Sequence, residues 1–139
     1  MDCSFCEVAV DTETGQVQVL RYAIAADPGK VIRPTTLESQ IHQVMYFSDG
    51  SNLTEDYYFD KATGVRLNTN MVDYKKPTIL DIAPVTPVLL ETRSGNAAYG
   101  ANGISHSLAT THLVICAIAN ATGKWIDPPR PRRIRSSKR

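Results

Sequence analysis

The sequence predicts an α+β fold, two β-hairpins and a short strand packed with two helices. Apolar residues alternate with a period near two through the first 25 positions. They recur at helical spacing from Leu37 to Met45 and again from Leu108 to Ala119. Clusters of Asp, Thr and Gly punctuate the strand-like runs. At 139 residues there is room for one domain and one modest core, and no internal repeat is present.

The first hairpin is set by Cys6, Val8 and Val10 alternating with Phe5, Glu7 and Ala9, then by the turn Asp11-Thr12-Glu13-Thr14-Gly15. Its second strand runs from Gln16 to about Ala25. There Val17 and Val19 keep one phase while Leu20, Tyr22 and Ile24 take the other, a pattern that calls for a bulge or for burial on both faces. Asp27-Pro28-Gly29 closes the strand. Pro34 suits a first helical position, and Glu38 is early enough to favour the helix dipole. Leu37, Ile41, Val44 and Met45 form the helix's apolar face, and Ser48-Asp49-Gly50-Ser51 predicts a bend or pause before Leu53 and Glu55. Tyr57-Tyr58-Phe59 and Val65-Arg66-Leu67 flank Asp60-Lys61-Ala62-Thr63-Gly64, the second hairpin signal. Val88-Leu89-Leu90-Glu91 reads as the short strand and 92–103 as a long loop. Ser105 or Ser107 is placed to cap the last helix, Leu108, Ile115 and Ala119 mark its face, and Gly123 ends it.

Bulk properties exclude several function classes. No apolar run reaches the length of a bilayer span, and the first residues lack an apolar signal core. Cys3 and Cys6 form a C-x-x-C, but no second Cys/His pair lies at zinc spacing, and residues three apart on a strand face opposite ways. They are read as structural or incidental cysteines of a cytoplasmic, reducing compartment. The sequons at Asn52 and Asn120 are read as chance. The net charge of +1 is unevenly spread: residues 128–139 carry six of the fifteen basic side chains and no acidic one, leaving the rest at −5. This divides the chain into a module, 1–127, and a basic Pro/Arg-rich tail, 128–139. The tail lacks aromatic residues for stacking and the body is acidic, so nucleic acid is not the expected partner. There is no glycosidase-type carboxylate pair, nucleophile elbow or phosphate loop.

Glu7-Val8-Ala9-Val10-Asp11-Thr12-Glu13-Thr14-Gly15 with Val17, Val19-Leu20 and Tyr22 resembles a hairpin near the end of the molybdopterin-binding subunits of the xanthine dehydrogenase and aldehyde oxidase family. The likeness continues through Asp27-x-Gly29-x-x-Ile32-x-Pro34, Gln40-Ile41, Leu53-Thr54-Glu55, Met71-Val72-Asp73-Tyr74 and Pro77-Thr78. It ends at Tyr99-Gly100-Ala101-Asn102-Gly103-Ile104-Ser105-His106, and spans about residues 5–126.

The resemblance implies a partial molybdopterin-binding domain, made as a separate small chain and completed by a larger molybdopterin-binding subunit. It implies molybdopterin, in its cytosine dinucleotide form, shared with that partner, with [2Fe-2S] and FAD only in other subunits. Gly103, Ile104 and Ser105 would approach the cofactor, and no residue would ligate the metal. His106 falls where the family carries its catalytic glutamate. A neutral imidazole at a helix start could serve as acid or base, and the open alternative is a histidine that caps the helix or bonds a partner chain. The expected function is a small subunit that completes the active site of a molybdopterin-dependent oxidoreductase acting on a small organic substrate. Hydroxylase, dehydrogenase and hydratase/dehydrogenase types all remain open, and the alternative is a non-catalytic subunit that stabilises the large chain. The family's glycine-rich stretch and Gln-Gly pair are replaced here by His42-Gln43-Val44 and Phe47-Ser48, and His42 and His112 are read as non-ligating.

Overall fold

The computed structural model describes residues 2–92, 97–104 and 112–125. Two antiparallel strands, β1 (Asp2–Val10) and β2 (Val17–Ala26), are followed by helix α1 (Pro34–Asp49), strand β3 (Val85–Leu89) and helix α2 (Leu113–Thr122). The sheet order is β1-β2-β3, with β3 parallel to β2. An α+β architecture of one small sheet and two helices is therefore what forms.

The first hairpin closes as the turn residues require. The Asp11 carboxylate accepts from the Glu13 and Thr14 amides at 2.8 and 3.2 Å, and Gly15 takes a left-handed φ of 75°. The phase switch in β2 is a β-bulge: Glu7 pairs with Arg21 and Val8 with Val19, leaving Leu20 unpaired. Leu20 points outward with Arg21, while Val17, Val19, Tyr22, Ile24 and Ala26 all reach the inner face. Cys6 lies on the inner side of β1 and Cys3 on the exposed side, as their spacing dictates.

The inner face is covered by Ile41, Val44 and Met45 of α1 and by Val114 and Ile118 of α2. Packed between them are Tyr22, Ile24 and Ala26, with α2 lying against β1 and α1 against β3. Each fully buried Ile, Val or Met stabilises by roughly 1.5–3 kcal/mol relative to exposure.

Pro34 opens α1 as predicted, but no acidic residue occupies the first turn, since Glu38 lies beyond it. The expected pause is a change of pitch: α1 passes into a π-helical turn, Gly50–Thr54, closed by the Glu55 amide on the Gly50 carbonyl at 2.7 Å. The sequon residue Asn52 is buried and donates to the Ser48 carbonyl at 2.7 Å.

Three expectations need correction. The second hairpin forms its turn, with Gly64 at φ 72°, but its arms meet at a single bridge, Phe59–Arg66, and do not join the sheet. The short strand is not 88–91 but Val85–Leu89, chosen by its parallel partner; Pro87 is tolerated there because β3 lies at an edge. The last described helix begins at Leu113, with His112 at its N-cap and Val114, Ile115 and Ile118 as the buried face. Gly123 does end it in the left-handed region, at φ 67°. Ser105, His106, Ser107, Leu108 and the tail from 128 lie outside the described residues.

Candidate cofactor groove at the start of helix α1

Three segments converge beyond the end of β2. The Asp27 carboxylate accepts from the Gly29 amide at 2.9 Å and from the Thr92 hydroxyl, 65 residues away. The Thr92 hydroxyl, and then the Gly29 amide, hold the Asp27 carboxyl below the usual carboxylate range. Gly29, at φ 72°, bridges to Ala101. The Lys30 amide donates to the Gly100 carbonyl at 3.0 Å, and the Asn102 amide to the Pro28 carbonyl at 2.7 Å. The Val31 amide is taken by the Glu91 carboxylate at 3.0 Å. The loop after β2 and the 97–104 loop are thereby locked side by side.

The second loop is strained where it turns. Tyr99 has φ 63°, the one non-glycine residue with positive φ among those described, and Gly100 follows at 72°. A left-handed tyrosine costs roughly 1–2 kcal/mol. Its side chain is 86% exposed, so packing of the ring does not offset that cost.

Between these loops and α1 lies an open groove of about 210 Å³, lined by Lys30, Arg33, Thr36, Leu37, Gln40 and Ile104 among others. A second hollow of about 500 Å³ continues from it along Lys30, Val31, Ile32 and Tyr99. No side chain caps the first turn of α1, and Lys30 and Arg33 line the groove beside it. A Cβ placed on Gly103 would meet no described atom within 4 Å, so space beside the loop is open.

Of the predicted site residues, Ile104 lines this groove and Gly103 precedes it, while Ser105 and His106 lie outside the described residues. The helix start invoked to keep His106 neutral is found seven positions further on, at Leu113, so that support is withdrawn. His42 and His112 are exposed. Among the described residues no group of three His, Cys, Asp or Glu side chains comes together, and no helix is long and apolar enough to cross a membrane. Sequence reasoning missed Lys30, Arg33, Thr36 and Gln40 as a set. Thr36 and Gln40, one helical turn apart, were the available signal.

A second polar constellation lies inside the core. The Tyr22 hydroxyl donates to the Asp49 carboxylate, and the Cys6 thiol, across the ladder, hydrogen-bonds the same tyrosine. Asp49 is 3% exposed, and its Oδ2 has no partner. Burial pushes the Asp49 carboxyl up, against the Tyr22 hydrogen bond, and pushes the Cys6 thiol to about 11. Burial and the Asp49 carboxylate both raise the Tyr22 phenol.

A small sheet, two loops locked side by side and an open groove along the start of α1 are the features to be matched with known proteins. The chain belongs to the molybdopterin cofactor-binding domain family, whose profile matches residues 1–83. It is 29% identical over 136 residues to the xanthine dehydrogenase molybdenum-binding subunit of Escherichia coli O157:H7, covering 95% of this chain and 18% of that protein. It is 34% identical over 122 residues to the nicotine 6-hydroxylase large subunit of Paenarthrobacter nicotinovorans, covering 87% of this chain and 14% of that protein. The crystal structure of quinoline 2-oxidoreductase from Pseudomonas putida 86 superposes with a TM-score of 0.77 at 28% identity, over 84% of this chain and 15% of that one. The Cu,Mo-CO dehydrogenase has the same fold in this region, with a TM-score of 0.78 at 22% identity. The chain thus spans less than a fifth of the length of these relatives. Its homologues are molybdenum-dependent oxidoreductases, and it shares their family.

Proposed function

We propose that this chain is a small subunit that completes the active site of a molybdopterin-dependent oxidoreductase acting on a small organic substrate. The observation that carries the reading is the convergence of Ile104 with Lys30, Arg33 and Gln40 around an open groove. The residues present suit the group. Lys30 and Arg33 would hold the phosphates, Thr36 and Gln40 offer hydrogen bonds to a pterin edge, and Leu37 and Ile104 supply apolar walls. Open space beside Gly103 allows close backbone approach. When bound, molybdopterin supplies the two-electron redox chemistry.

In this reading Gly103, Ile104 and Ser105 meet the cofactor, in its cytosine dinucleotide form, with a larger molybdopterin-binding subunit closing the other side. Iron–sulfur and flavin groups belong to further subunits. His106, two residues past the groove-lining Ile104 in sequence, is the acid/base of this reading: its imidazole accepts the proton released as substrate is oxidised and returns it to solvent.

The test is His106→Ala in the native complex, assayed with xanthine, nicotine, quinoline and an aldehyde. Turnover lost by a hundredfold or more, with molybdenum content unchanged, supports the catalytic role. Unchanged turnover assigns the chain a purely structural part.

A further inference from the structure

Apolar surface in this chain is distributed in the wrong way for a free-standing domain. Among the described residues eleven apolar side chains are buried, while seventeen large ones are exposed. Nine of those seventeen fall between Tyr57 and Leu80, a segment without regular strand or helix. Tyr58, Leu67, Met71, Val72 and Leu80 are all more than half exposed there.

Polar bonds hold this segment in shape in place of a core. The Asn68 side chain donates to the Asp56 carbonyl and accepts the Tyr58 amide. Asp60 ties down Ala62 and Thr63, Asn70 takes the Val72 and Asp73 amides, and Asp81 takes Thr78. At the centre the Arg66 guanidinium lies 4.3 Å from the Tyr57 ring centroid and 4.7 Å from that of Tyr74. Tyr57 also stacks on Phe59, with ring centroids 6.3 Å apart. Preformed tyrosine and arginine clusters are the chemistry of interface hot spots, and a pre-shaped segment loses little entropy on binding.

The position of the arm indicates its partner. Tyr74 donates to Glu55, and Lys76 sits 3.7 Å from the same carboxylate, just past the π-helical turn at the C-terminal end of α1. The candidate groove runs along the first half of α1, from Arg33 to Gln40, so groove and arm lie toward opposite ends of a helix about 24 Å long. The outer face of the sheet is a poorer candidate, because exposed alanine and the Arg21–Glu7 ion pair interrupt Phe5 and Val88.

We propose that residues 57–81 are a preformed docking arm for the rest of the molybdenum-binding subunit, the more than four-fifths of the relatives' length that this chain does not span. The inference rests on the function proposed above. A partner gripping both ends of α1 covers the groove and the arm at once, which a second copy of so small a chain is poorly sized to do.

The test begins by isolating the tagged chain with its bound proteins from its native host and treating the complex with an amine-reactive cross-linker. Lys61, Lys75 and Lys76 should link to a co-purified chain carrying the remaining molybdenum-binding segments. Tyr58→Glu with Leu67→Glu should lower recovery of that chain at least tenfold, as should Met71→Glu with Val72→Glu, while Phe5→Glu leaves it unchanged. Circular dichroism matching the parent verifies that each variant is folded. Cross-links confined to Lys30 and Lys124, arm lysines linked only to a second copy, or full recovery with both arm variants would overturn the arm while leaving the proposed function standing. Absence of any molybdenum-binding chain would overturn the function itself, and the arm's partner with it.

Discussion

The Tyr22 hydroxyl donates to the Asp49 carboxylate where the middle of β2 meets the last turn of α1. Both residues are almost wholly buried, and Asp49 Oδ2 has no other partner. Tyr22→Phe leaves both carboxylate oxygens unpaired and should cost about 1–3 kcal/mol, read as a lower urea midpoint. Adding Asp49→Leu to it should recover much of the loss, since two apolar partners leave nothing unsatisfied. A double variant no more stable than Tyr22→Phe alone would show that the pair is not the source of the cost.

The pH dependence follows from the same cluster. Asp49 holds its proton to higher pH in the folded state than its unfolded value of 3.8, so folded protein binds more protons above 3.8. Its contribution is full below that value and is lost as pH rises through the folded pKa. Asp11, Asp27, Asp60 and Asp81 are shifted down by hydrogen bonds from Thr and backbone groups, so their contributions are lost as pH falls through their folded values. Stability should therefore peak near the ordinary carboxylate range and decline toward neutrality, and Asp49→Asn should flatten that decline in urea titrations at several pH values.

Cys6 provides an alkaline counterpart. With its thiol raised from 9.0 to about 11, the folded state keeps a proton that the unfolded state releases, and stability falls as pH climbs from 9.0 toward 11. Iodoacetamide at pH 8.5 should label exposed Cys3 and Cys116 well before Cys6. Equal labelling rates would contradict the buried hydrogen bond to Tyr22.

Tyr99→Gly should relieve the left-handed strain and stabilise the chain by about 0.5–1 kcal/mol, seen as a higher Tm. The ring is exposed, so little packing is lost in the free chain. A lower Tm would mean that the ring is held by contacts that offset the strain.

Lys30→Glu with Arg33→Glu reverses the charge at the groove's mouth. In the native complex it should lower molybdenum content several-fold, measured by elemental mass spectrometry, without loss of the partner chains. Unchanged molybdenum would remove these two cations from the cofactor site.

Local chemistry was legible in the sequence and long-range pairing was not. The turn at Asp11–Gly15, the bulge near Leu20, the break in α1 at Gly50 and the stop at Gly123 each follow from a few adjacent residues. Strand β3 was displaced by three positions because its register is set by Tyr22 through Ala26, on the far side of α1. The groove escaped notice for the same reason. Its loops are joined by Asp27 and Thr92, by Gly29 and Ala101, and by Lys30 and Gly100, pairs that no local pattern links. The Cys6–Tyr22–Asp49 cluster draws one residue from each of three elements, and only the folded sheet brings them together.

Leu20 makes β2 two strands in tandem. Because side chains alternate sides with each residue, the single unpaired position inverts the parity of everything after it. Removing Leu20 would leave the composition of β2 nearly untouched. With the register beyond it fixed by Tyr22, Ile24 and Ala26, the remaining residues would alternate without a break, and Val17 and Val19 would stay on the inner face. The bulge is thus what lets Val17 and Val19 share a face with Tyr22 despite one residue too many between them, and a strand forced to alternate through Leu20 would turn both valines outward.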